Sequence, residues 1–304
     1  MGARLFVTGA GGFVGAAVVK AAVAAGHEVV ALVRNDSARL TSVAERISLQ
    51  RADLADTTRI AGLLTSSRPD IVIHSAWEGV GGALRSGDVQ LDNIRTTVAL
   101  ADAAIAAGSR KFVGVGSQAE YGRYDRKIVE TDLPQPTLLY GAAKLAANHL
   151  AAQRCREAKV AFAWLRLFSV YGPGDNSNWL IPSATAALLR GKSPLCTAGT
   201  QKWDYLHIED VAGGLLAAAM AEDATGVFNL SSGDPVAVRQ IIETLRDFAA
   251  PGRALTFGDI PFGPDQIMHL DGDNGRLRAA TGWLPRIPLS EGLRQVVDEL
   301  RMAA

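Results

Sequence analysis

The sequence is short of the residues that bind metals or lock a fold covalently. Its two cysteines, Cys155 and Cys196, lie in unrelated surroundings at no metal-ligand or redox spacing, which fits free thiols in a reducing compartment. None of the five histidines pairs with another at ligand spacing, so no metal is expected, and His74 inside "IVIHSA" reads as a satisfied core residue. Excess charge is absent too. Lys plus Arg number 31 and Asp plus Glu 31, which leaves no long-range field for nucleic acid or an anionic membrane and makes a small molecule the expected partner. Long apolar runs are missing: the Ala-rich stretch 16 to 25 is short and interrupted by Lys20. Met1 to Arg4 leads at once into "LFVTG", with no room for a charged and then apolar leader, so a soluble, cytoplasmic protein is expected.

What is abundant is alternation. Strand-length apolar runs ("RLFVTG", "EVVALV", "ISLQRA", "DIVIHSA", "KFVGVG", "VAFAWLRLF") are separated by Ala-rich helical segments at 13–25, 37–44, 56–66, 88–107 and 140–157. That order predicts an α/β fold, a doubly wound parallel sheet of the Rossmann type with about seven strands and helices on both faces. After Tyr171, "YGPGDNSN" breaks the pattern, and Gly, Pro and short strands become frequent. The expected division is a dinucleotide-binding domain over 1–170 and a smaller α/β substrate lobe over 171–304, with the chain returning to the first sheet around 203–230.

"LFVTGAGGFVGAAVV" places Gly9, Gly12 and Gly15 between a strand and a helix. The three glycines differ in what they permit: a tight turn at Gly9, close backbone approach to a diphosphate at Gly12, helix-to-strand packing at Gly15. The helix start turns unpaired N–H groups toward the anion, with Phe13 and Val14 in its first turn. About 20 residues on, a dinucleotide fold usually carries an acid for the adenosine ribose. Here "ALVRND" supplies Arg34, followed by Asn35. A guanidinium can grip a 2'-phosphate that an acid would repel, so NADP(H) is favoured over the alternative, NAD(H). Asp36 is close enough to be a displaced ribose ligand, and Asp53 with Leu54, at the next strand end, is placed beside the adenine or in a turn.

Tyr140 and Lys144, four apart at a helix start, share one face. A phenol is a poor acid near neutrality; an ammonium one turn away is expected to stabilise its phenolate. Ser117, just past the strand "FVGVG", lies at the edge where such sheets bind ligands and could hold a reacting carbonyl.

With "TGAGGFVG", "ADLAD", "VIHSA", "GSQAEYG", "YGAAK", "RLFSVYGPG", "WDYLHIEDVA" and "TGWLPRIPLSEGL", the chain resembles an extended short-chain dehydrogenase/reductase of the NAD-dependent epimerase/dehydratase type over nearly its whole length. The resemblance implies a triad of Ser117, Tyr140 and Lys144, with Lys144 also on the nicotinamide ribose, Ala76 lining the cofactor and Asn93 supporting the active-site helix. It also implies a nucleoside-diphosphate sugar as substrate and a homodimer formed through the helices near 88–107 and 140–157. The dehydratase Asp-Glu pair is replaced by Gln118 and Ala119, which cannot transfer protons, and Glu120 is shifted by one position. The expected reaction is therefore NADPH-dependent reduction of a 4-keto-6-deoxyhexose nucleotide; a 4-epimerase with bound NAD and a non-catalytic NADP sensor are the alternatives.

Further expected substrate contacts are Trp77 and Glu78 in a mobile loop over 76–87, Gln118, Ser169, Asn178, Lys202 and Trp203. Trp203 stands where many relatives carry a diphosphate-gripping arginine, and the second such arginine is missing from "DIPFGPDQ".

Overall fold

A computed structural model describes residues 2–263 and 266–303; Pro264 and Asp265 of the "DIPFGPDQ" segment lie outside the described residues. The first half alternates as β1 (Arg4–Thr8), α1 (Phe13–Ala24), β2 (Glu28–Val33), β3 (Ser48–Arg51), α2 (Thr57–Ser67), β4 (Ile71–His74), α3 (Val89–Ala106), β5 (Lys111–Ser117), α4 (Leu139–Glu157) and β6 (Ala161–Leu167). Then come β7 (Ser169–Tyr171), α5 (Leu180–Leu189), β8 (Lys202–Trp203), β9 (Tyr205–His207), α6 (Ile208–Met220), β10 (Gly226–Leu230), β11 (Val236–Ala237), α7 (Val238–Ala249), β12 (His269–Leu270), α8 (Gly275–Thr281) and α9 (Leu289–Met302).

Seven strands form one parallel sheet in the order β10-β6-β5-β4-β1-β2-β3. Alternate residues of β1 explain why the run is apolar throughout: Leu5 and Val7 join a cluster with α1 and α6, while Phe6 joins one with α2, α3 and α4. The chain winds outward from β1 to β3, then restarts at β4 on the other side. The gap above the carboxyl ends of β1 and β4 is thus the switch point where such sheets take ligands. His74, fully buried there, hydrogen-bonds Thr8 Oγ1 through Nδ1 at 2.8 Å and Thr97 Oγ1 through Nε2 at 2.9 Å. Burial pulls it down to about 3, so it is neutral, as a core residue should be.

A further apolar cluster gathers Ile181, Leu188, Ile241, Leu245, Leu293 and Val297 from α5, α7 and α9, beside two small sheets, β11-β8-β12 and β7-β9. The segment expected as a helix over 37–44 is instead a 3₁₀ turn series, Ala38–Arg46, started by the Ser37 side chain accepting from Arg39 N. Its buried residues are Leu40 and Val43, three apart, a spacing that matches three residues per turn.

Candidate active site

Gly9 follows β1 at φ +66°, and a Cβ there would stand 2.6 Å from Ala76 N, so only glycine lets the chain ends of β1 and β4 meet above the sheet. A Cβ on Gly15 would run into Gly9 O, which fixes how closely α1 descends. Gly12 caps α1 without a side-chain hydrogen bond, and no acid stands in the first turn, beside Phe13 and Val14. The donors of that turn therefore face outward over a bare backbone, and this cradle fits a dinucleotide diphosphate.

At the end of β2, Arg34 and Asn35 are exposed, and Arg34 Nη1 donates to Glu78 Oε2 at 3.1 Å. Glu78, expected on the substrate, is thereby drawn toward the end of β2. Asp36 is exposed and ion-paired: Arg51 Nε donates to its Oδ1 at 2.8 Å. Arg39, nearby, donates to Gly174 O at 2.8 Å. Arg34, Arg39 and Arg51 thus all stand around the end of β2, where Glu78 and Asp36 are each paired with an arginine. Asp53 closes a turn by accepting from Ala55 N at 2.9 Å, with half-buried Leu54 packed behind it.

Ser117 is the last residue of β5, and Tyr140 and Lys144 occupy the first turns of α4. The structure brings the Ser117 and Tyr140 side chains into hydrogen-bond contact, with Lys144 one helical turn further on. Burial holds the Tyr140 phenol above its ordinary value; a hydrogen bond with Ser117 and the Arg85 guanidinium draw it down, and Glu120 pushes it up. Lys144 is engaged by other groups. Its Nζ donates to Val115 O at 2.6 Å and lies 3.7 Å from the centre of the Trp77 ring. Burial lowers it to about 7, against Glu120, which raises it. The cation beside the phenol is Arg85, whose Cζ stands 4.7 Å over the Tyr140 ring.

Segment 76–87, expected as a mobile loop, is tied to α3. The indole N–H of Trp77 donates to Gln90 Oε1 at 2.9 Å, and fully buried Gln90 donates to Gly79 O and Leu84 O, each at 2.9 Å. Asn93, expected to support α4, instead clasps Glu78 from both sides: its Oδ1 accepts from Glu78 N at 3.0 Å and its Nδ2 donates to Glu78 O at 2.9 Å.

Arg85, Gln118, Arg123, Leu138 and Ile267 line a cavity of about 150 Å³, and Arg85, which also lies over the Tyr140 ring, connects the two. Gln118 Oε1 and Arg85 Nε are buried without a hydrogen-bond partner. Glu120 turns away from this cavity into the core, accepting from Ser117 N (3.0 Å), Trp164 Nε1 (2.8 Å) and Arg166 Nε (2.8 Å). Of the remaining expected contacts, Ser169 opens β7 with its N–H on Asp204 O, Asn178 is exposed in a turn, and Lys202 is exposed on β8. Trp203 donates its N–H to Ile267 O at 3.0 Å and stacks on Tyr205, so it packs against the apolar cluster of α5, α7 and α9 instead of presenting its polar edge to a ligand. None of these four is in the cavity wall described above.

A family profile for the NAD dependent epimerase/dehydratase family matches residues 5–231. The chain belongs to that family. As an epimerase/dehydratase family member it is an NAD(P)-dependent enzyme. It is similar to a GDP-6-deoxy-D-mannose reductase of Pseudomonas aeruginosa, 30% identical over 97% of this chain and 96% of the relative. A UDP-glucose 4-epimerase of Mycolicibacterium smegmatis is 28% identical over 98% of both chains. Among solved structures, MoeE5 in complex with UDP-glucuronic acid and NAD matches with a TM-score of 0.86 at 27% identity, covering 99% of this chain and 100% of that one. Arg39, Arg51, Arg85 and Gln90 do not stand out in the sequence. Arg51 alone carries a signal, as the end of β3 in register with Val33, one residue before Arg34. No helix among the described residues is long and apolar enough to cross a membrane.

Proposed function

We propose that this epimerase/dehydratase family member is an NADPH-dependent reductase of a keto group, at the 4-position, on a nucleoside-diphosphate-linked deoxysugar. The observation that carries it is the cationic end of β2, where Arg34 replaces the usual acid, Arg39 and Arg51 stand near, and Glu78 and Asp36 are both engaged by arginines. A net reductase draws on the NADPH pool, whereas an epimerase returns its hydride to the same molecule. The 30% identical sugar reductase supports the same choice.

When bound, the reduced dinucleotide supplies hydride to the carbonyl carbon. Tyr140 gives its proton to the carbonyl oxygen, Ser117 holds that oxygen in line, and Lys144, buried under Trp77, is left for the nicotinamide ribose. Gln118 and Ala119 hold no transferable proton, which leaves dehydration without its acid and base. The family reading also carries pairing of two copies through α3 and α4, on which Leu91 and Leu150 are exposed.

Wild-type protein should bind NADPH more tightly than NADH. Arg34→Ala should weaken NADPH by about 10- to 100-fold, the range of a charged hydrogen bond, and leave NADH nearly unchanged. Fluorescence titration measures both constants, and a wild-type preference for NADH overturns the assignment. The second reading is a 4-epimerase holding NAD, favoured by the UDP-glucose 4-epimerase relative and by the NAD bound to MoeE5. Stoichiometric NAD released on denaturing freshly purified protein, with no net oxidation of NADPH, would establish it.

A further inference from the structure

We propose that Arg85 is a further catalytic residue of this site, its guanidinium donating to the reacting sugar oxygen beside Tyr140. The role of the sugar oxygen rests on the reductase reading above. Arg85 sits in the 3₁₀ turn Gly82–Ser86, between β4 and α3, and reaches across to the start of α4. Its Cζ is 4.7 Å from the centre of the Tyr140 ring, and its Nε is buried without a hydrogen-bond partner on the wall of the cavity it shares with Gln118. A buried donor left unmatched is destabilising, the more so on a charged group. The groups lining the cavity include no carboxylate among the described residues, and the one other unmatched atom there is Gln118 Oε1. A ligand bearing an oxygen acceptor next to a hydroxyl would satisfy both, and a keto sugar has that pattern.

The backbone holds Arg85 in place. Gln90 Nε2 donates to the carbonyl of Leu84, one residue before it, and the same amide carries Trp77 and Gly79. The turn that carries Arg85 is thereby held on α3, and the guanidinium rests against the Tyr140 ring, so the cation stands where it can stabilise a developing alkoxide.

Charges around the phenol can be taken element by element. Arg85 comes from the 82–86 turn. Ser117 and Glu120 come from the end of β5 and the turn after it, and Glu120 is paired with Arg166 of β6 at 2.8 Å. On α4 itself, Lys144 is turned to Val115 O and covered by Trp77. Along α3, Asp92 pairs with Arg95 and Asp102 with Arg154. On the cavity side Arg123 is a second cation in the wall, but Arg85 is the one whose guanidinium lies over the ring, and it favours the phenolate over the neutral phenol.

The test uses full-length wild type, Arg85→Ala, Arg85→Lys and Tyr140→Phe. Turnover of keto-sugar nucleotides with NADPH is expected to fall about 100-fold in Arg85→Ala, the size of losing one preorganised donor, with NADPH affinity unchanged. Independently, ultraviolet difference titration follows tyrosinate formation, the Tyr140 step being identified by its loss in Tyr140→Phe. Without Arg85 that step should move up by about one pH unit, and Arg85→Lys should bring it part of the way back. Unchanged turnover together with an unmoved Tyr140 step in Arg85→Ala would overturn the proposal. Should the wild type reduce no keto-sugar nucleotide, the reductase reading falls by itself. The titration then decides the residue: a shifted step upholds the coupling of Arg85 to Tyr140, and an unmoved one overturns it.

Discussion

Tyr140→Phe is expected to lower turnover by about 100- to 10,000-fold, the usual span for removing a positioned proton donor. The change deletes one oxygen and keeps the ring, which packs edge-on to Trp77 with centroids 6.3 Å apart and lies under Arg85. Little should therefore happen to the fold, or to a dinucleotide held by the glycine turn at the end of β1. Ser117 keeps its other bond, accepting from Ala119 N at 3.1 Å, so the end of β5 is not released. Steady-state kinetics with NADPH and a keto-sugar nucleotide, beside a dissociation constant for NADPH alone, separate chemistry from binding. Ordinary turnover would remove the phenol from the chemistry.

The second large effect is on stability. Glu120 and Arg166 form an ion pair at 2.8 Å with side chains 0% and 3% exposed. The carboxylate also accepts from Trp164 and from the backbone of Ser117, while the guanidinium lies 4.2 Å over the Tyr121 ring. Removing one partner of such a pair leaves a buried charge uncompensated, which costs about 3–5 kcal/mol. Arg166→Ala should thus lower the melting temperature by roughly 10 °C, given about 2–4 °C per kcal/mol for chains of this size. The double change Glu120→Gln with Arg166→Met should recover much of the loss, because no orphaned charge remains. A thermal melt of the three proteins tests this. A loss near 1 °C in Arg166→Ala would show that the pair does not hold the core beneath Ser117.

The parts of the molecule that can be read from the sequence are those governed by neighbours in the chain. The seven-stranded sheet follows from apolar runs buried on both faces, and the glycine turn from three positions where a side chain collides with backbone or blocks a helix start. Tyr140 and Lys144 are placed one turn apart by spacing alone, and Ser117 meets Tyr140 because β5 ends beside the start of α4. Contacts between distant segments are not legible. Glu78 reads as a substrate contact, but its carboxylate is taken by Arg34, 44 residues earlier. Lys144 is expected to act on the phenol, yet a carbonyl of β5 and an indole from the β4 loop capture it. Arg85 and Gln90 belong to no recognisable spacing, and only the packing of that loop on α3 gives them a place. The 3₁₀ segment at 38–46 imitates a helix because both structures bury residues three apart.

The strand β10 has a consequence for how the polypeptide is made. It lies in register beside β6, Gly226 against Ala163 through Leu230 against Leu167, although α5, β8, β9 and α6 are threaded between the two in the chain. During synthesis the rim of β6 waits, unpaired and apolar, until more than fifty further residues have left the ribosome. A fragment cut near residue 170 would carry that naked rim permanently, and rims of this kind recruit other chains. The first six strands of the sheet therefore cannot be separated as a stand-alone piece by a single cut after β6.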